Sequence, residues 1–202
     1  MFPGSRRAKE KYRALDKNLL KPNSENLVSS KRSKKKIPLS VSNVRQVVRG
    51  DALHKVLDIF GPPLKDSWLK DVQRSKVRQI FNLEKNDFYS LIRDFSEKLK
   101  KNETWLDFID GFLNVWTEYP LCGSYEKQFQ KIDLLIELEK KFVIIDWKTG
   151  QKTDEKINEY SLQVNTYKDV LSRFLKKQNI NKNVECYIAW VDQDDLIFNE
   201  IF

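Results

Sequence analysis

Three charged side chains, Asp133, Asp146 and Lys148, are spaced so that hydrolytic chemistry could be built on them. The aspartates lie in the stretches "KIDLLIEL" and "VIIDWKTG", each otherwise mostly apolar. A buried charge is costly unless it is paired or holds a metal. The short polar connection at Glu139 and Lys140 allows only an antiparallel hairpin between the two stretches. Asp133 and Asp146 are equidistant from that turn, which sets them side by side with Cβ atoms about 4.5–5.5 Å apart. Lys148 shares the face of Asp146, because strand side chains alternate. The other face carries Ile132, Leu134, Ile136, Val143, Ile145 and Trp147, all apolar. Two readings stand. One is an ion pair on a half-exposed sheet face. The other is a site where paired carboxylates hold a hard divalent cation and the ammonium supports hydrolysis of a bound substrate.

The elements that would position these groups follow from periodicity. Ser42 or Asn43 can cap a helix whose apolar positions Val44, Val47, Val48, Ala52, Val56 and Ile59 keep helical spacing, with "FGPP" as its stop. Helical patterns continue over about 66–82, 87–100 and 103–111. From Phe112 the pattern becomes strand-like: "FLNVWTEYPL", "QFQKIDLLIEL" and "KFVIIDWKTG". The segment "INEYSLQVNTYKDVLSRFLKKQ" then returns to helix, with Leu162, Val170, Leu171, Phe174 and Leu175 as core contacts, and "VECYIAWV" and "LIFNEIF" add two strands. This order predicts an α/β fold with a central mixed sheet, flanking helices and an N-terminal helical part. Trp116, Trp147 and Trp190 read as core.

Charge divides the chain. Residues 1–40 carry twelve Lys and Arg against three acids, whereas the remainder is near neutral in a chain of net charge +8. We therefore divide it into a basic linker or arm over 1–40 and a folded domain over 41–202. Such an arm serves either as a solvated linker or as a partner for a polyanion. Two cysteines, Cys122 and Cys186, are too few for a disulfide framework and fit no zinc motif, and reduced thiols in a cytoplasmic protein are expected. No apolar run is long enough to span a membrane, and no secretory leader is expected. A single histidine, His54, argues against zinc-site and Ser–His chemistries.

Five pieces, taken in order over residues 44–198, resemble the PD-(D/E)XK nucleases, and within them the RecB/AddA-type domain that ends a helicase–nuclease. "KIDLLIE" and "VIIDWKTG" resemble the D…DxK core of those nucleases. "YSLQVNTY" resembles their Y-x-x-Q-x-x-x-Y helix, "RGDALHKVLDIF" an early helix carrying a histidine, and "TEYPL" an E-x-P strand. The resemblance implies a restriction-endonuclease-like core. It implies His54, Asp133, Asp146 and the Trp147 backbone carbonyl as metal ligands, and Lys148 as the catalytic lysine. Glu118 would be a catalytic carboxylate, as ligand or support. Tyr160, Gln163 and Tyr167 would line the site and contact DNA. Its cofactor would be Mg2+, with Mn2+ as a substitute, and no iron–sulfur cluster, since the cysteines for one are missing.

The implied activity is metal-dependent DNA hydrolysis, as an exonuclease, in end processing, recombination and repair in the bacterial cytoplasm or nucleoid. Its substrate would be single-stranded DNA or duplex ends. No G-x-x-x-x-G-K-[ST] occurs in the sequence, so a helicase motor would have to be supplied in cis or by a partner subunit. The plainer readings are a surface polar role for His54 and helix packing for Tyr160, Gln163 and Tyr167. A non-catalytic DNA- or subunit-binding module and an RNA-processing nuclease are the rival functions.

Overall fold

Phe142 through Trp147 are all buried, as befits a central strand covered on both faces. The computed structural model describes residues 41–81, 83–121, 130–192 and 194–202. The basic arm expected over 1–40, with its possible short helix, and Cys122 lie outside the described residues. In chain order come α1 (Val41–Phe60), α2 (Trp68–Arg74), α3 (Val77–Ile80), α4 (Lys85–Lys101) and α5 (Glu103–Ile109). They are followed by β1 (Asn114–Leu121), β2 (Gln130–Glu137), β3 (Lys141–Lys148), α6 (Asp154–Lys177), β4 (Asn183–Trp190) and β5 (Ile197–Ile201). The strands form one mixed sheet in the order β1-β2-β3-β4-β5. Only β3 and β4 are parallel, and α6 supplies the crossover that a parallel pair needs. No helix of the described residues is long and apolar enough to cross a membrane.

A core lies on each side of the sheet. On one side Ala52, Leu53 and Val56 of α1, Phe95 of α4 and Trp105 of α5 pack on Val143, Ile145 and Trp147 of β3. On the other, Val164, Tyr167, Leu171 and Leu175 of α6 cover Ile144 and Trp190. Thr153 caps α6 by accepting from the Lys156 amide, and Asp154 and Glu155 in the first turn complement the helix dipole.

Five details depart from the sequence reading. The helix expected over 66–82 is two helices, because the Ser75 hydroxyl bonds the Val72 carbonyl at 2.6 Å and accepts from the Val77 amide at 3.3 Å. Such local bonds compete with the helical ladder. The buried stripe of α1 runs through Ala52, Leu53, Val56 and Leu57, leaving Val47 and Ile59 exposed. On α6 the stripe runs through Val164, Tyr167, Leu171 and Leu175, and Leu162, two residues before it, is 74% exposed. Ile132 packs with the α6-side core and not with Leu134, and Trp116 is half-buried.

Candidate active site

The hairpin register places Leu134 opposite Ile145, Leu135 opposite Ile144 and Ile136 opposite Val143, the alignment expected from the turn. Its next step would be Asp133 opposite Asp146, but the ladder stops one residue short. There the Trp147 amide donates instead to Asp133 Oδ2, at 2.9 Å. A carboxylate thus replaces a main-chain carbonyl as the strand's partner. On the other edge of β2, Thr117 pairs with Leu134 and Tyr119 with Ile132, while Glu118 and Asp133 between them are passed over. Glu118 has φ 49, a left-handed conformation that carries strain for a non-glycine residue. The main chain is therefore irregular at the point where β2 leaves β3. The same irregularity turns Ile132 to the opposite face.

His54, on α1, reaches this opening from the other side. Its Nε2 lies 3.1 Å from the Trp147 carbonyl and its Nδ1 lies 3.6 Å from Asp133 Oδ2. The bond to the carbonyl requires the proton on Nε2. Nδ1 then faces the Asp133 carboxylate across 3.6 Å, too long for a direct hydrogen bond. Such a gap suits a cation. His54, Glu118 and Asp133 each offer one ligand atom, all within 4.8 Å of one another. Ligands at about 2.1 Å from an octahedral ion stand roughly 3 to 4 Å apart, so these three donors could hold a divalent metal once drawn slightly together. Lys131 lies 3.4 Å from Glu118 on the outer side.

Asp146 falls outside that trio. It is 1% exposed, and its Oδ2 is 2.5 Å from the Lys148 ammonium. Lys148 also lies over the Tyr160 ring, 4.5 Å from its centre, so α6 holds the lysine from above. Burial pushes the Asp133 carboxyl up to about 6, with the Asp146 charge adding and His54, the Trp147 amide and Lys148 opposing. Burial raises Asp146 as well, against the pull of Lys148 and His54. The two acids thus share one electrostatic site. Gln163 donates to the Tyr167 hydroxyl one turn along α6. Burial pushes that phenol up to about 12 in spite of the Gln163 bond, with Asp146, Asp133 and Glu118 adding to the rise. His54, Glu118, Asp133, Asp146, Lys148, Tyr160, Gln163 and Tyr167 therefore gather at one end of the sheet.

Three further contacts carry no signal in the sequence. A Cβ on Gly50, one turn before His54, would stand 2.6 Å from Thr149 Oγ1, so α1 seats directly on the residue after Lys148. Asp192 accepts from the Gly150 amide at 3.0 Å and from Arg49 at 3.4 Å. Its partners stand 42 and 143 positions away in sequence, beyond the reach of any local pattern.

The model of the PD-(D/E)XK nuclease superfamily matches residues 30–193, beginning within the segment that the charge pattern assigns to the arm. No curated protein matches the chain. Among solved structures the chain is similar to a Eubacterium rectale protein provisionally described as an exonuclease, with 14% identity and a TM-score of 0.46. The match covers 77% of this chain and 57% of that protein, so the chain spans little more than half of that protein's length. A likeness at that level says nothing of substrate.

Proposed function

Because the chain belongs to the PD-(D/E)XK nuclease superfamily, we propose that it is a Mg2+-dependent deoxyribonuclease acting as an exonuclease on single-stranded DNA or duplex ends. The observation that carries this reading is the His54, Glu118 and Asp133 donor set, standing beside the buried Asp146–Lys148 pair. A divalent ion held by His54, Glu118, Asp133 and the Trp147 carbonyl, with Asp146 alongside, would supply an acidified water and charge neutralisation at the phosphate.

The chain's own residues do the rest. Lys148, fixed by Asp146 below and Tyr160 above, presents its ammonium where negative charge grows on the scissile phosphate, without reorganising. Asp146 keeps that cation in place, and the irregular strand end at Glu118 and Asp133 leaves the carboxylates facing the opening. Tyr167 accepts from Gln163, which leaves its own proton to donate to a phosphate oxygen. Tyr160 and Gln163 line the same wall.

The resemblance further supports a role beside a helicase motor, in cis or in a partner subunit, in DNA end processing, recombination and repair in the cytoplasm. The test is incubation with end-labelled single-stranded DNA, duplex DNA and RNA of one sequence, with Mg2+ and with chelator. DNA should be cut only with the metal, and Asp146→Ala and Lys148→Ala should each abolish cutting without changing the folded-state spectrum. Cutting that survives in Lys148→Ala would remove its assigned role. Preference for RNA would move the reading to an RNA-processing enzyme, and no cutting of any substrate to a binding module.

A further inference from the structure

We infer that Asp192 is a positioning residue that locks the helix bearing His54 to the loop that follows Lys148. This rests on the nuclease reading for its consequence in catalysis, though not for its geometry. Asp192 lies two residues beyond Trp190, the last residue of β4. The Val191 amide donates to the Lys148 carbonyl at 2.9 Å, so the chain leaving β4 continues to run beside the chain leaving β3. One residue on, Asp192 Oδ2 accepts from the Gly150 amide at 3.0 Å. The main chain is therefore tied on both sides of Thr149. Gly150 has φ 99, a turn that glycine adopts without strain.

The second oxygen of Asp192 does a different job. Oδ1 takes Arg49 at 3.4 Å, with the aspartate side chain 17% exposed and the arginine 37%. Arg49 precedes Gly50, the residue seated on Thr149, and both lie within about a turn and a half of His54 on α1. One carboxylate thus bridges β4, the β3–α6 loop and α1. An ordinary surface ion pair contributes little, and stability alone would not reveal this bridge. Its function is to keep the His54 ring in reach of Asp133 while Lys148 stays on Asp146.

The two jobs separate by substitution. Asp192→Asn keeps a carbonyl oxygen for the Gly150 amide and loses the charge facing Arg49, as Arg49→Gln loses it from the other side. Asp192→Ala loses both ties. His54 is the only histidine, so untagged protein gives one set of imidazole resonances, read without any substrate. Those resonances should show a protonated Nε2 in the parent protein, as its bond to the Trp147 carbonyl requires. They should shift or broaden in Asp192→Asn, Arg49→Gln and Asp192→Ala alike.

Mn2+ titration by calorimetry should find affinity lower by about 10-fold in each variant. At saturating metal and DNA, kcat should fall only in Asp192→Ala. Parent-like imidazole resonances in the three variants would overturn the proposal, even if cleavage changed. If the parent cuts nothing, the resonances still decide it, and the nuclease reading fails alone. Should Asp192→Ala not fold, the other two variants carry the test.

Discussion

Asp133 accepts the Trp147 amide, faces the His54 ring and lies beside Asp146, so neighbours of both signs compete for its charge. An unfolded aspartate titrates near 3.8, and burial with the neighbouring acid moves the folded one to about 6. The fold therefore binds that proton more tightly than the open chain does. The stability so gained is complete below the unfolded value and is lost as pH rises through the folded one. At neutral pH the ionised site weakens the metal-free fold by on the order of 3 kcal/mol. In chelator near about pH 7.5, Asp133→Asn should melt a few degrees above the parent, and the gap should close towards about pH 4. Mg2+ should raise the melting point of the parent and leave the variant unmoved. A variant that melts below the parent at neutral pH in chelator would contradict the charge argument. The hairpin register up to Leu134 and Ile145 was legible because a short turn fixes it, whereas the break at Asp133, which accepts the Trp147 amide in place of pairing with Asp146, was not. Nor was the place of Glu118. Its nearness to Asp133 depends on a β1–β2 register that the intervening sequence does not set, and on a φ of 49 that no residue pattern announces.

The helix α1 shows how an element turns a small residue into catalytic geometry. Its existence, its stop at "FGPP" and the place of His54 could all be read from spacing, but its buried face could not. Apolar residues lie on several sides of it, and the packing of the other helices decides which are covered. Gly50 matters because its missing side chain lets the helix rest on Thr149. Gly50→Ala should improve helix propensity by about 1 kcal/mol, yet it forces a contact that costs about 1 to 3 kcal/mol. Metal-dependent cleavage should fall at least about tenfold, since displacement by an ångström is enough to disrupt a site. Thr149→Ala added to Gly50→Ala removes the obstructing oxygen and should restore most of the loss. Full activity in Gly50→Ala alone would show that the seat is not needed. In α6 the apolar Leu162 misled the reading of its inner face, because Val164 and Tyr167 set the stripe and Tyr167 is as much a core residue as a polar one.

Across the whole molecule, charge and chemistry are carried by different parts of the chain. The basic segment 1–40 holds twelve Lys and Arg, enough to neutralise several phosphates without reading a base. Deleting it should weaken DNA affinity and flatten the slope of log affinity against log salt, with turnover at saturating DNA nearly unchanged. Equal slopes for the two forms would make the segment a linker only. The two cores suggest a second division. His54 arrives from the α1 side of the sheet, whereas Tyr160, Gln163 and Tyr167 arrive on α6 from the other, and the strand ends between them carry Asp133, Asp146 and Lys148. In evolutionary terms α6 and β3 must change together at Tyr160 and Lys148, because the ring of one covers the ammonium of the other.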